Sequence, residues 1–374
     1  MAQRVLIAPD KFKGTLSASE AASAIARGWS KARPKDKITL LPMSDGGDGF
    51  GEVMGRAIGA HKKFVETVDS ADRPVEAAWW WESKTRTAIV EAAQVNGLAM
   101  LPYRKFHPFE LSTFGLGRVL QTVARAGAKE CIVGIGGSAT NDAGFGLARA
   151  LGWKFFPANE CPTCTPSAQL DEWWQLGMLG RIEKPGFSLR LKITVAVDVK
   201  NPLLGPKGCT RIYGPQKGLT EDDFPLAERA LEQLAKVYNK QFRLDFSKVP
   251  GAGAAGGLGF GLMAFLGAKL GNGFELFAKH ANLREHIRDA DLVITGEGAI
   301  DQQTFMGKGV GQLATLCKKN RVPCVGLGGI ANVPPKQKLF FKVRALTEIT
   351  SAEKAKKNAA RYLAALANKA GASE

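Results

Sequence analysis

Cysteine and histidine are both scarce in this chain, with six and four residues in 374. The cysteines, at 131, 161, 164, 209, 317 and 324, are too few and too scattered for a disulfide framework, and they point to a reducing, cytoplasmic setting. Cys161 and Cys164 have CxxC spacing, yet no second pair or histidine cluster stands near them to complete a tetrahedral zinc site. That pair reads as a loop with reduced thiols. The histidines, at 61, 107, 280 and 286, fall outside every glycine-rich loop, so no Ser-His-Asp or Cys-His arrangement is supported. A Walker A pattern is absent throughout. The first residues, MAQRVLIAPD, lack the basic region, long apolar stretch and cleavage site of an export signal, so none is expected. Residues 251–268 carry no charge, but glycine recurs through them and the first half is too weakly apolar for lipid, which favours a buried loop entering a core helix.

What the chain has in excess is positive charge, +16 from 51 basic and 35 acidic residues. Such a surface attracts anions. The basic residues are spread along the chain, and no block of them is interleaved with aromatics as a nucleic-acid groove requires, so neither nucleic acid nor membrane is expected as a partner. With 45% hydrophobic and 23% charged residues, the chain is long enough for two packed cores.

A pattern recurs: a Val/Ile/Leu-rich run, a polar glycine loop, then helical spacing. It predicts an α/β fold with largely parallel strands. Residues 4–8 read as a strand, and Ser17 with Glu20 forms a capping box that opens a helix. Residues 37–43 lead through SDGGDG into a second helix. Residues 291–295 read as a buried strand, GEGAIDQQT as a loop, 309–320 as a helix, and 322–327 and 343–349 as further strands. Residues 75–81 and 87–91 suggest antiparallel pairing, and 157–185 a long loop. We therefore expect a Rossmann-like (flavodoxin-like) parallel-sheet domain built from both chain ends, 1–70 plus 285–374, with an α/β domain, 71–284, inserted.

In open parallel sheets ligands gather beyond the carboxyl ends of strands. The first loop there, residues 8–16, carries Asp10, Lys11 and Lys13 beside a capped helix start, suited to a carboxylate or phosphate, or else a solvated surface loop. SDGGDG places Asp45 and Asp48 around glycines, either as metal or proton acceptors or as a plain Asp-Gly turn. GIGGSATND (134–142) follows a strand and precedes a helical segment, a nest of N–H and hydroxyl donors for phosphate oxygens. It half resembles a dinucleotide fingerprint, but no acidic residue closes the next strand, which weakens a nicotinamide reading. Asp198 ends a strand as a candidate base or a turn cap, and Lys217 follows in GPQKG. GAGAAGG (251–257) offers bare backbone, and TGEG with Asp301, Thr304 and Lys308 mixes carboxylates, a hydroxyl and an ammonium.

Taken together and in order, APDKFKGTLSA, DGGDG, GIGGSATNDAG, DVKNPLLGPKG with GPQKG, GAGAAGGLG and TGEGAIDQQT with GKG resemble the glycerate kinase type 1 family, over residues 4 to about 330. The resemblance implies a two-lobed α/β enzyme, active in the cleft between its domains, that uses ATP and Mg²⁺ to phosphorylate D-glycerate, with 2-phosphoglycerate favoured over the 3-phospho isomer. On that basis Asp198 or Asp45 accepts the hydroxyl proton while the other helps place Mg²⁺. Lys13, Lys217, Lys11 and Asp48 hold the acid or the transferring phosphate. Gly136, Gly137, Ser138, Thr140, Asn141, Gly253, Gly256 and Gly257 line the nucleotide phosphates, and Glu297 and Asp301 serve the metal. The chain departs from the usual family residues at Asp48, Phe114, Arg118, Ala299 and Met306. Alternatives are an NAD-dependent oxidoreductase of a small hydroxy acid and a non-catalytic sugar-acid sensor. A monomer or homodimer is expected.

Overall fold

The structure is a computed structural model that describes residues 2–158, 169–307, 309–334 and 337–372, which leaves Cys161, Cys164 and Lys308 outside the described residues. In chain order its strands are β1 (Arg4–Ile7), β2 (Lys37–Leu40), β3 (His61–Val68), β4 (Pro74–Glu82), β5 (Thr87–Glu91), β6 (Glu130–Gly134), β7 (Lys154–Pro157), β8 (Leu179–Glu183), β9 (Lys192–Ala196), β10 (Lys269–Gly271), β11 (Leu292–Ile300), β12 (Cys324–Ala331) and β13 (Lys342–Ala345). The chain divides into two compact units, one of residues 1–45, 52–58 and 274–374, the other of 46–51 and 59–273.

The first unit is built on a five-stranded sheet in the order β13-β12-β11-β1-β2, parallel throughout. Its strands come from both ends of the chain, β1 and β2 from one and β11, β12 and β13 from the other. β1 is buried on both faces from Val5 to Ile7, which explains its unbroken apolar run. The helix Ala18–Ala32 opens with the expected box: the Ser17 hydroxyl accepts from the Glu20 N–H at 3.2 Å and the Glu20 carboxylate accepts from the Ser17 N–H at 2.8 Å. This helix packs on the C-terminal helix Ala359–Ala372. Small residues permit the approach, because a Cβ at Gly28 would collide with the Ala364 backbone. One element differs from expectation. GEGAI is not a loop: β11 runs on to Ile300, paired with β12 through Gly296↔Leu327, Glu297↔Gly328 and Ile300↔Ala331. Gly296 lies so close to the Leu327 carbonyl that only glycine fits, so residues that look like turn formers mark a tight strand pair.

The second unit is built on a six-stranded mixed sheet in the order β10-β9-β6-β5-β4-β3. β10, β9, β6 and β5 are parallel, and β4 and β3 continue antiparallel, which includes the predicted β4–β5 pairing. β3 pairs with β4 over its whole length, from His61↔Trp81 to Val68↔Pro74. β7 and β8 form a separate antiparallel pair, so part of the expected long loop is ordered. The glycine-rich 251–268 segment enters the helix Ala254–Leu266, buried almost throughout, and among the described residues no helix is long and apolar enough to cross a membrane. Phe265 of that helix meets Trp153, Phe155 and Tyr238 at ring separations of 5.1, 5.8 and 5.9 Å. Such edge contacts fix a core beyond what burial of area alone provides.

Candidate functional site

In the first unit the chain leaves β1 for β2 on one side, while β11 leads to β12 on the other. The gap between β1 and β11 is therefore a topological switch point, where ligands of open α/β sheets collect. Loop 8–16 begins there and is firmly held. Ala8 N–H donates to the Ile294 carbonyl and Asp10 N–H to the Gly296 carbonyl, both at 2.8 Å, and the Thr295 hydroxyl donates to the Ala8 carbonyl at 2.7 Å. The loop after β2 joins it, with Met43 N–H donating to the Pro9 carbonyl at 2.8 Å.

Three carboxylates feel one another at this edge. Burial raises the Asp10 carboxyl, the nearby Asp45 charge and then Glu297 raise it further, and the Lys11 N–H at 2.7 Å opposes them, so it settles at about 7. Glu297 accepts from the Thr304 hydroxyl at 2.6 Å. Asp301 caps the helix Gln302–Phe305, accepting from the Gln303 N–H at 2.8 Å, so one of its oxygens is committed to the backbone. Lys11 is half-buried and Lys13 exposed.

In the second unit the glycine loops 134–142 and 251–257 do come together. GIGGSATND follows β6, and its Ser138 hydroxyl lies 3.1 Å from that of Thr140 and 3.4 Å from the Ala255 carbonyl. Ala143 N–H donates to the Gly256 carbonyl at 3.0 Å. Lys217, at the end of the helix Cys209–Lys217, is buried and donates from Nζ to the Thr140 carbonyl at 2.6 Å. Burial lowers this ammonium to about 8, against the charges of Cys209 and Asp142. Ala255, Gly256 and Gly257 are all left-handed, and a Cβ at Gly256 would overlap the Thr140 carbonyl and stand 2.8 Å from Lys217 Nζ. Gly253 N–H donates to the Asn201 carbonyl at 3.0 Å, which ties the turn to the segment after Asp198. Asn141 donates to the Thr210 hydroxyl at 3.1 Å.

Asp198 lies just past β9, where its Oδ1 accepts from Asn272 Nδ2 at 2.7 Å and Gly273 N–H at 3.0 Å. Asp48 is exposed and its carboxylate lies over the Gly137 backbone, so closely that a Cβ there would collide with it. Gly136 N–H donates to the Gly46 carbonyl at 2.9 Å, so the 46–51 turn lies against the 134–142 loop.

Two residues escape the motif reading. Asp10 stands out in the sequence only as part of its loop, although a carboxylate directly after a central parallel strand is a positional signal in itself. Glu91 reads only as the end of a strand. It is buried, and its two oxygens accept from the Gly49 and Gly51 N–H groups, each at 2.9 Å.

A doubly wound parallel sheet with carboxylates at its switch point, and a second sheet whose glycine turns close around a buried lysine, define an α/β enzyme for anionic ligands. Residues 5–373 match the sequence model of the Glycerate kinase family, and the chain belongs to that family. It is 40% identical over 329 residues to the glycerate 2-kinase of Escherichia coli strain K12 and 38% identical over 331 residues to the glycerate kinase of Bacillus subtilis strain 168, in each case covering 87% of this chain and 85% of the relative. A crystal structure from Salmonella typhimurium LT2 carrying the glycerate kinase 2 name is 33% identical and superposes with a TM-score of 0.83, covering 100% of this chain and 98% of that one. The chain is accordingly a kinase, with ATP as the family's phosphate donor, and the oxidoreductase and sensor readings are set aside.

Proposed function

We propose that this kinase transfers the γ-phosphoryl group of ATP to the 2-hydroxyl of D-glycerate. The observation that carries the reading is the convergence of GIGGSATND, GAGAAGG and Lys217 within the second unit, a cradle of backbone and hydroxyl groups backed by one buried cation. Phosphoryl transfer asks a protein chiefly to position its substrates and neutralise charge, and this cradle is suited to polyphosphate oxygens. In this reading Gly136 to Ser138, Thr140, Asn141, Gly253, Gly256 and Gly257 line the nucleotide phosphates, and Lys217 sets their potential from behind.

Mg²⁺ fits the acidic edge of the first unit. Burial first, and then the charges of Asp45 and Glu297, hold the Asp10 carboxyl up to about 7, and a cation there would relieve the carboxylate repulsion. Among the described residues no group of three or more His, Cys, Asp and Glu side chains is arranged to hold a metal. Mg²⁺ ordinarily keeps several waters and uses one or two carboxylates with substrate phosphates, which Glu297 and Asp301 would supply. When bound it would neutralise polyphosphate charge. Lys11, Lys13 and Asp48 are assigned to the acid substrate, and either Asp198 or Asp45 to the hydroxyl proton; Asp198 is already oriented by Asn272 and Gly273. The chain is further proposed to be of type 1 and to act in the cytoplasm.

Incubation with ATP, Mg²⁺ and D-glycerate, followed by proton-coupled ³¹P NMR, tests this directly. Phosphate on the secondary carbon gives a doublet. A triplet would place it on the primary carbon and overturn the regiochemistry, and absence of any phosphoglycerate would overturn the reading.

A further inference from the structure

Glu91 closes β5, opposite Gly134 at the end of β6, where the phosphate-binding loop begins. The residue is only 3% exposed. Its Oε1 and Oε2 reach the 46–51 turn, accepting from the N–H groups of Gly49 and Gly51 at 2.9 Å each. These two amides bracket Phe50, the first residue of the helix Phe50–Ala57, and the first of them follows directly on Asp48. Hydrogen bonds to an ionised carboxylate are about twice as strong as neutral ones, and a two-pronged grip adds a fixed direction. The same turn is held from its other end by the Gly136 N–H on the Gly46 carbonyl. A six-residue turn held at both ends has little freedom left, and the side chain it lays over the phosphate loop is Asp48, above Gly137.

We propose that Glu91 is a positioning residue that sets the 46–51 turn so that Asp48 presents its carboxylate to the acceptor substrate. The proposal rests on the reading that Asp48 contacts glycerate. Nothing in the reaction requires Glu91 to touch substrate, and its oxygens are turned to backbone amides. Its amide isostere would keep one acceptor and point an NH₂ at the second N–H, which releases one side of the grip without emptying the space.

A double-mutant cycle with Glu91→Gln and Asp48→Asn tests it, with kcat and KM measured for glycerate and for ATP and ATP affinity measured separately by calorimetry. Asp48→Asn is expected to lower kcat/KM for glycerate at least tenfold. Glu91→Gln is expected to lower the same constant at least tenfold, to leave the Kd for ATP within about threefold, and to add less than twofold when combined with Asp48→Asn. Faster deuterium uptake confined to peptides spanning 44–52 should accompany it. If Asp48→Asn is silent, the parent reading fails. If Asp48→Asn is costly while Glu91→Gln is silent, or multiplies the loss in full in the double variant, the positioning role fails and the parent reading stands. Should Glu91→Gln not be recovered folded, Glu91→Asp, which keeps the charge but reaches one amide at most, enters the same cycle with the same criteria.

Discussion

The β1/β11 edge of the first unit is crowded with carboxylate side chains, whereas the glycine turns at 136–137 and 256–257 of the second are closely packed backbone. At the β1/β11 edge Asp10, Asp45 and Glu297 supply the field, and the Ala8 and Asp10 amides are bonded to β11. In the second unit the 136–137 turn lies against residues 46–48 and the 256–257 turn against residues 140–143, each so closely that a Cβ would not fit, and Lys217 is buried behind the second of them. The contrast bears on how each fails. A carboxylate can be changed to an amide with little effect on packing, so damage in the first unit should appear in rate. A methyl group added to the second unit's turns must move backbone, so damage there should appear in stability.

The largest effect expected is catalytic. Removing the proton acceptor by Asp198→Asn or Asp45→Asn should lower kcat by roughly 10²- to 10⁴-fold, the usual worth of general base catalysis. One of the two should do so and the other produce a smaller loss, and steady-state kinetics with circular dichroism on both variants decides which unit holds the acceptor. Near-normal turnover in both would remove carboxylate base catalysis from the scheme.

Next comes a paired glycine test. Gly256→Ala puts a Cβ onto the Thr140 carbonyl at a left-handed φ of 70° and should cost more than about 3 kcal/mol in urea unfolding. Gly298→Ala in the first unit meets nothing nearer than the Lys13 nitrogen at 3.5 Å, so its cost should stay within about 0.5 kcal/mol. Equal costs would erase the distinction drawn between the two regions.

Lys217 sharpens the same contrast through pH. Folding lowers its pKa from 10.5 to about 8, so below pH 8 both states hold the proton and the full cost of the buried charge is present. Between pH 8 and 10.5 the unfolded chain holds a proton that the folded chain has released, so this group's contribution to stability rises with pH. Relative to Lys217→Met, the wild type should gain about 2 to 3 kcal/mol across that window. A flat difference would show the ammonium to be solvated rather than buried.

Much of this was legible before any coordinates. The capping box at Ser17, the pairing of β4 with β5 and the glycine turns at 134–142 and 251–257 all rest on local rules of hydrogen bonding and glycine conformation. What escaped the sequence was set by strand order. GEGAI looks like a loop until β12 is placed beside it, and the weight of Asp10 depends on β11 being its neighbour, almost the whole chain away. Glu91 shows the same limit: nothing around it announces a site, and its role exists only because β5 lies parallel to β6 and the 46–51 turn folds over their ends. The 161–164 CxxC pair and Lys308 lie outside the described residues.

A last test asks whether the first unit's loop draws its shape from the helix it precedes or from the sheet behind it. Ser17→Ala deletes a hydroxyl that accepts the Glu20 N–H, worth about 1 kcal/mol of stability for such a cap. The loop bearing Asp10 and Lys13 ends one residue before this cap, so a loop shaped by the helix start should loosen with it. The sheet argues otherwise, since Ala8 and Asp10 are bonded to β11, and Phe12 and Leu16 are bonded to each other upstream of the cap. Ser17→Ala should therefore lower the melting temperature by a few degrees and leave KM for glycerate and ATP unchanged. A severalfold rise in KM for glycerate would instead make the cap part of the binding loop, and the first unit would then depend on backbone geometry as the second does.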